Sequence, residues 1–168
     1  MDSDGYLSQL ADIFNGITVN TPSISAIIAI ALAGVLLLAS GFASASEIAF
    51  FSLSPSDRND IDERNHPSDD KISALLGDTE RLLATILITN NFVNVTIIML
   101  CNFFFMNVFV FHSPLAEFLI LTVILTFLLL LFGEIMPKIY SAQKTLAFCR
   151  FSAPGIYFLW MNCRTRWN

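Results

Sequence analysis

The 168-residue chain is 55% hydrophobic and 14% charged, with a mean hydropathy of +0.65, whereas a water-surrounded globule carries about a quarter charged residues. A net charge of −5 and a pI near 4.8 exclude the clustered basic surface that nucleic-acid binding requires. The charges are also confined: residues 13–46, 82–116 and 118–133 contain no Asp, Glu, Lys or Arg. Runs of at least ~18 apolar residues are candidates to cross the ~30 Å hydrocarbon core, so the chain reads as an all-α integral membrane protein with three transmembrane helices.

Residues 1–22 hold Asp2, Asp4 and Asp12 but no Lys or Arg, unlike the basic start of a signal peptide. They read as a periplasmic or extracellular segment, and the first apolar run as a retained helix. Thr21-Pro22 precedes span one, about 23–46. Within a cytoplasmic loop of 50–81, residues 55–81 are too polar for the membrane and predict short helices, broken at Ser54-Pro55 and Asn65-His66-Pro67. Span two covers about 82–108. His112-Ser113-Pro114 makes a turn, and span three covers about 115–136, where Pro137 ends or kinks it. Residues 145–163 are apolar but interrupted by Arg150 and Pro154-Gly155, and they open the C-terminal segment 145–168. They read as a juxtamembrane amphipathic helix or helix pair, with Tyr157, Trp160 and Trp167 at the depth where amphipathic rings collect.

Lys and Arg set the orientation, because cytoplasmic loops carry the excess. The N-terminal segment and the turn between spans two and three have none. The loop between spans one and two has Arg58, Arg64, Lys71 and Arg81, and the tail has Lys138, Lys144, Arg150, Arg164 and Arg166. The N-terminus is therefore placed outside and the C-terminus in the cytoplasm. Cys101, Cys149 and Cys163 have no zinc-type or redox spacing and read as reduced, structural thiols.

Polar groups inside a span are costly and require a partner or a purpose. In span one Ser40 and Ser44 share a helical face, and Glu47 falls on it one turn nearer the cytoplasm. In span two Asn90 and Asn94 repeat the four-residue spacing, with Thr89 and Asn91 beside them. Span three ends in Gly133-Glu134-Ile135-Met136-Pro137-Lys138. At ~1.5 Å per residue, Ser40, Asn90 and Glu134 all reach the inner half of the bilayer. Hydroxyls, amides, one carboxylate and a glycine carbonyl before a proline form an all-oxygen set suited to a hard cation, Mg²⁺ or Ca²⁺. Each part has a plainer reading. The serines make a small-xxx-small packing stripe, the asparagines act as interhelical hydrogen-bond glue, and Glu134 pairs with Lys138 one turn on. Glu47 reads as an interface or supporting residue rather than a ligand.

Three segments resemble a known family: Ser44-Ala45-Ser46-Glu47-Ile48-Ala49, Thr85 to Asn94, and Phe132-Gly133-Glu134-Ile135-Met136-Pro137-Lys138. They are similar to the DUF21 transmembrane domain of the CNNM/CorC magnesium transporters. The likeness covers about residues 22–165, with the membrane domain itself over 23–144. It implies a homodimer of three-span subunits with a juxtamembrane belt in a bacterial inner membrane. It also implies a largely dehydrated Mg²⁺ held by Ser40, Ser44, Asn90 with Asn94 as neighbour or alternate, the Gly133 carbonyl and the Glu134 carboxylate. Efflux of that ion would be driven by Na⁺ entry. Glu47, Thr89 and Asn91 would support the site or its coupling. Thr89 departs from the glycine common at that position. Relatives continue into cytoplasmic CBS domains that bind ATP, so this chain is expected to be an isolated or truncated membrane domain.

Two functions follow. The first is the membrane domain of a Mg²⁺ transporter, the second a non-transporting anchor or sensor that dimerises cytoplasmic domains. An enzyme is not expected, because His66 and His112 are the only histidines and fall on opposite sides of the membrane.

Overall fold

The computed structural model describes residues 18–110 and 114–164, apart from the side chains of 114–116 and 163–164. The N-terminal segment 1–17, the turn expected at His112-Ser113 and Trp167 lie outside the described residues. Among those described, three helices are long and apolar enough to cross a membrane: Ile24–Phe51, Thr79–Val108 and Glu117–Gln143.

Local chemistry sets where the helices begin. Helix α1 (Ile24–Phe51) starts at Ser23, whose hydroxyl accepts the Ala26 N–H at 3.3 Å and so satisfies one of the donors a helix start leaves open. It runs about one turn beyond the charge-free stretch. The polar link forms α2 (Pro55–Asp62) and α3 (Asp69–Leu76), separated at the expected Asn65-His66-Pro67 break. A reciprocal cap opens α2: Ser54 Oγ accepts the Asp57 N–H at 3.2 Å, and Asp57 Oδ2 accepts the Ser54 N–H at 3.0 Å. Asp78 caps α4 (Thr79–Val108) by accepting the Arg81 N–H at 3.3 Å. At the opposite end of the bundle two short strands, β1 (Thr18–Val19) and β2 (Phe109–Val110), pair antiparallel with Thr18 opposite Val110.

The third span is not a uniform helix. It comprises α5 (Pro114–Leu128), a π-helical stretch over Leu129–Ile135, and α6 (Met136–Gln143). Of the two expectations at Pro137, an end or a kink, the end is corrected, since helical structure continues through it to Gln143. Pro137 has no N–H for the carbonyl four or five residues back, Gly133 or Phe132, and the wound register widens just ahead of it. The Met136 N–H bonds to the Leu131 carbonyl, five residues back. Packing against α1 holds the continuation in place. A Cβ on Gly41 would lie 3.0 Å from Pro137 Cγ, and Ser141 Oγ donates to the Ala45 carbonyl at 2.6 Å. Such π segments are frequent at functional sites.

The last helix, α7 (Thr145–Arg164), continues through Pro154 as one helix, which settles the helix-or-helix-pair alternative. It joins α2 and α3 in an apolar cluster built on Phe50, Ile61, Ile72, Leu75, Leu82, Cys149 and Ile156. A second cluster, Ala33, Ile97, Cys101 and Leu125, lies between the three spans. Small residues make the close helix contacts possible, since Ala26, Ala29, Ala33, Ser40, Gly41 and Ser44 are all buried on α1. Cys101 and Cys149 are buried free thiols. Burial, aided by the nearby Asp69 charge, pushes Cys149 up to about 12, leaving it inert.

One polar contact crosses the first cluster. Asp69 at the start of α3 is fully buried. Its two oxygens accept from Arg150 Nε at 2.9 Å and Nη2 at 3.0 Å on α7, and Oδ2 also accepts the His66 N–H at 3.0 Å. This bidentate pair fastens the polar link to the last helix.

Candidate cation site

Three helices meet at Ser40. Its hydroxyl lies 2.8 Å from Asn90 Oδ1 and 2.6 Å from Asn94 Oδ1. The two asparagines share a face of α4 because they are one turn apart, and α1 presents Ser40 between them. A hydroxyl has one proton, so three oxygens share one hydrogen. That leaves a surplus of lone pairs in a region where Ser40 is fully buried and Asn90 nearly so.

Ser44, one turn along α1, is also fully buried, and its Oγ has no hydrogen-bond partner. Its neighbour Ser46 shows what a helical serine does when nothing else is required of it: Ser46 Oγ donates to the Phe42 carbonyl, four residues back, at 2.7 Å. A buried hydroxyl left unpaired costs about 1–3 kcal/mol. Ser44 is thus a donor group kept open on the face that carries Ser40.

The π-helical stretch supplies the third wall. Gly133 is buried, and a Cβ there would lie 3.3 Å from Ser40 Oγ. The absence of a side chain therefore brings the span-three backbone against the Ser40 hydroxyl. Glu134 follows it, half-buried. The expected alternative, a Glu134–Lys138 pair, does not form, because Lys138 Nζ reaches Glu47 Oε2 on α1 at 3.1 Å.

Of the residues singled out from the sequence, Ser40, Asn90, Asn94 and Gly133 come together, and Ser44 lies one turn along the same buried face. No hydrogen bond joins Glu134 to this cluster. Glu47 forms an ion pair at the helix ends instead, Thr89 is half-buried, and Asn91 lies on the exposed side of α4. Ser141 was not anticipated. Its bond to the Ala45 carbonyl anchors α6 beside Ser44, and its only sequence signal is a small polar residue one turn after Pro137. Among the described residues no group of three or more His, Cys, Asp or Glu side chains converges. The donors are neutral oxygens with a single carboxylate nearby, a composition for a hard cation.

The fold and this cluster define an integral membrane domain with a polar oxygen centre between its spans. Residues 30–163 match the family model of the cyclin M transmembrane N-terminal domain, CNNM. The chain belongs to that family, whose membrane domains are associated with Mg²⁺ transport, and the resemblance seen in the three motifs is borne out. Among curated proteins none matches the chain.

Proposed function

We propose that this domain carries Mg²⁺ across the membrane, binding it largely dehydrated between α1, α4 and the π-helical stretch of span three. The observation that carries this reading is the Ser40 hydroxyl shared by two amide oxygens, one turn from the unpartnered Ser44 hydroxyl. Ser40, Ser44, Asn90, Asn94 and the Gly133 carbonyl replace waters that Mg²⁺ normally retains, and Glu134 supplies the formal charge. One carboxylate offsets half of the ion's charge, so the site binds without trapping its cargo. Binding drives a local rearrangement in which the asparagine oxygens leave the Ser40 proton and turn to the ion.

The distribution of Lys and Arg supports an N-terminus outside and a C-terminus in the cytoplasm, which opens the site from the inner side. Na⁺ entering in exchange would occupy the same class of oxygen ligand. A homodimer is supported by Asn91, whose exposed amide in mid-span is costly against lipid and is relieved by a second copy. The environment proposed is a bacterial inner membrane, with CBS-type cytoplasmic domains as the partners in a longer chain.

The test is Mg²⁺ flux in proteoliposomes, with thermal stability of the purified protein titrated with Mg²⁺. A ligand specific to the folded state raises stability by ~2.7 kcal/mol at 100 times its dissociation constant. Flux and stabilisation are expected in the wild type and lost in Glu134→Gln. Absence of both in the wild type would favour a non-transporting anchor, in which the serines only pack helices.

A further inference from the structure

A groove of about 390 Å³ runs between α1 and span three, walled by Leu38, Gly41, Phe42, Phe132 and Pro137. It ends at Tyr140 and Phe148, and these same two residues begin a second cavity of about 260 Å³ whose other walls are Lys144, Ala147 and Phe151. The two adjoin at these shared walls and together make a cleft, apolar along the span and carrying Lys144 where the span ends. Lys144 sits in the break between α6 and α7, immediately after the membrane-crossing helix, which is headgroup depth.

The cations around it are not equivalent. Lys138 is held by Glu47 at 3.1 Å and Arg150 by Asp69 at 2.9 Å. Lys144 is exposed and has no ion pair among the described residues. The first turn of α7 also lines this mouth, and its dipole adds to the positive potential there. An apolar slot opening sideways into a bilayer and capped by an unneutralised ammonium is complementary to one kind of molecule, an acyl chain bearing an anionic headgroup.

We propose that this cleft is a binding site for an anionic phospholipid, with an acyl chain between Leu38 and Phe132 and the phosphate at Lys144. The lipid seals the face of the Gly41–Pro137 contact and thereby supports the π-helical stretch that carries Gly133. Basic pockets between helices recognise lipid headgroups in this way, each surface lysine being worth about fivefold in affinity.

The test uses the full chain purified in detergent, with added phosphatidylglycerol or neutral phosphatidylcholine and bound lipid read by native mass spectrometry. The wild type should retain phosphatidylglycerol about fivefold more strongly than phosphatidylcholine. Lys144→Gln should equalise the two without changing the unfolding midpoint, since the side chain has no ion pair among the described residues, and Lys144→Arg should keep the preference. Leu38→Trp and Ala147→Trp, both at exposed positions, should displace both lipids. A photo-cross-linking phenylalanine analogue at position 38, in vesicles of mixed phosphatidylglycerol and phosphatidylcholine, should give a phosphatidylglycerol adduct. No preference in the wild type, a preference unchanged by Lys144→Gln, or an adduct to a second copy of the chain would each overturn the proposal.

Discussion

Lys138 extends from span three to Glu47 on α1, 3.1 Å away, and leaves Glu134 on its own helix without it. The i, i+4 spacing that would pair Glu134 with Lys138 is interrupted because Glu134 lies in the π-helical stretch and Lys138 in α6, so the usual angular offset between them is altered. The carboxylate proposed for the cation site is thereby left free of this lysine, which instead ties two spans together at their polar ends. Both partners are about one-third exposed, a setting in which an ion pair is worth about 0–1 kcal/mol. Lys138→Met should therefore lower stability only slightly and leave Mg²⁺ stabilisation intact, whereas Glu134→Gln should weaken Mg²⁺ binding at least ~10-fold, equivalent to about 1.4 kcal/mol. Titrating the thermal midpoint of both variants with Mg²⁺ checks this, and equal losses would contradict the division of roles.

Ser44 and Ser46 are both fully buried and differ in one respect: Ser46 bonds to the Phe42 carbonyl, and Ser44 Oγ is unpartnered. Ser44→Ala removes an unsatisfied polar group, so without Mg²⁺ the variant should be as stable as the wild type or up to about 1 kcal/mol more stable. With Mg²⁺ it should lose its stabilisation. Ser46→Ala should leave the Mg²⁺ response unchanged. A Ser44→Ala variant that loses stability equally with and without Mg²⁺ would assign the hydroxyl to packing.

The two glycines between α1 and span three separate packing from binding. At Gly41 a new Cβ would meet the rigid Pro137 ring at 3.0 Å and the Phe132 carbonyl at 3.3 Å. Overpacking of this kind costs about 1–3 kcal/mol, so Gly41→Ala should lower the midpoint in any buffer. At Gly133 the contact is the Ser40 hydroxyl, at 3.3 Å, which can rotate. Gly133→Ala should cost less stability and more Mg²⁺ affinity, because the displaced group is a proposed ligand. Comparing midpoint shifts with Mg²⁺ titrations of the two variants distinguishes the outcomes.

The spans were legible because charge-free runs longer than the hydrocarbon thickness leave few alternatives, and Asn90 with Asn94 was legible as a four-residue repeat on one helical face. That Ser40, not Ser44, takes both amides depends on the axial register of α1 against α4, which no local pattern encodes. The π-helical stretch was equally hidden. Leu129–Ile135 reads as ordinary apolar helix, and only the continuation of α6 along α1, past a residue with no N–H, forces the extra width. Arg150 was visible as an interruption of an apolar stretch. Its partner lies 81 residues away, among eight acidic residues of the 57–80 segment that the sequence does not distinguish.

The Asp69–Arg150 pair gives the last prediction, a dependence on pH. Burial by itself would raise the Asp69 carboxyl. The Arg150 hydrogen bonds, the His66 N–H and the Arg150 charge outweigh it and hold the group below its ordinary value of 3.8. A carboxyl depressed in the folded state contributes stability that is complete above its unfolded value, and loses it as pH falls through the folded value. The attachment of α3 to α7 should therefore be independent of pH near neutrality and weaken only in acid, below about pH 4. Arg150→Met strands the fully buried carboxylate and should cost about 3–5 kcal/mol at pH 7. Asp69→Asn with Arg150→Met together should recover much of that loss and remove this acid step. Hydrogen exchange of the Asp69–Leu76 amides against pH follows the contact directly. A link equally protected in wild type and Arg150→Met would show that the apolar cluster around Ile72 and Leu75 holds it without the ion pair.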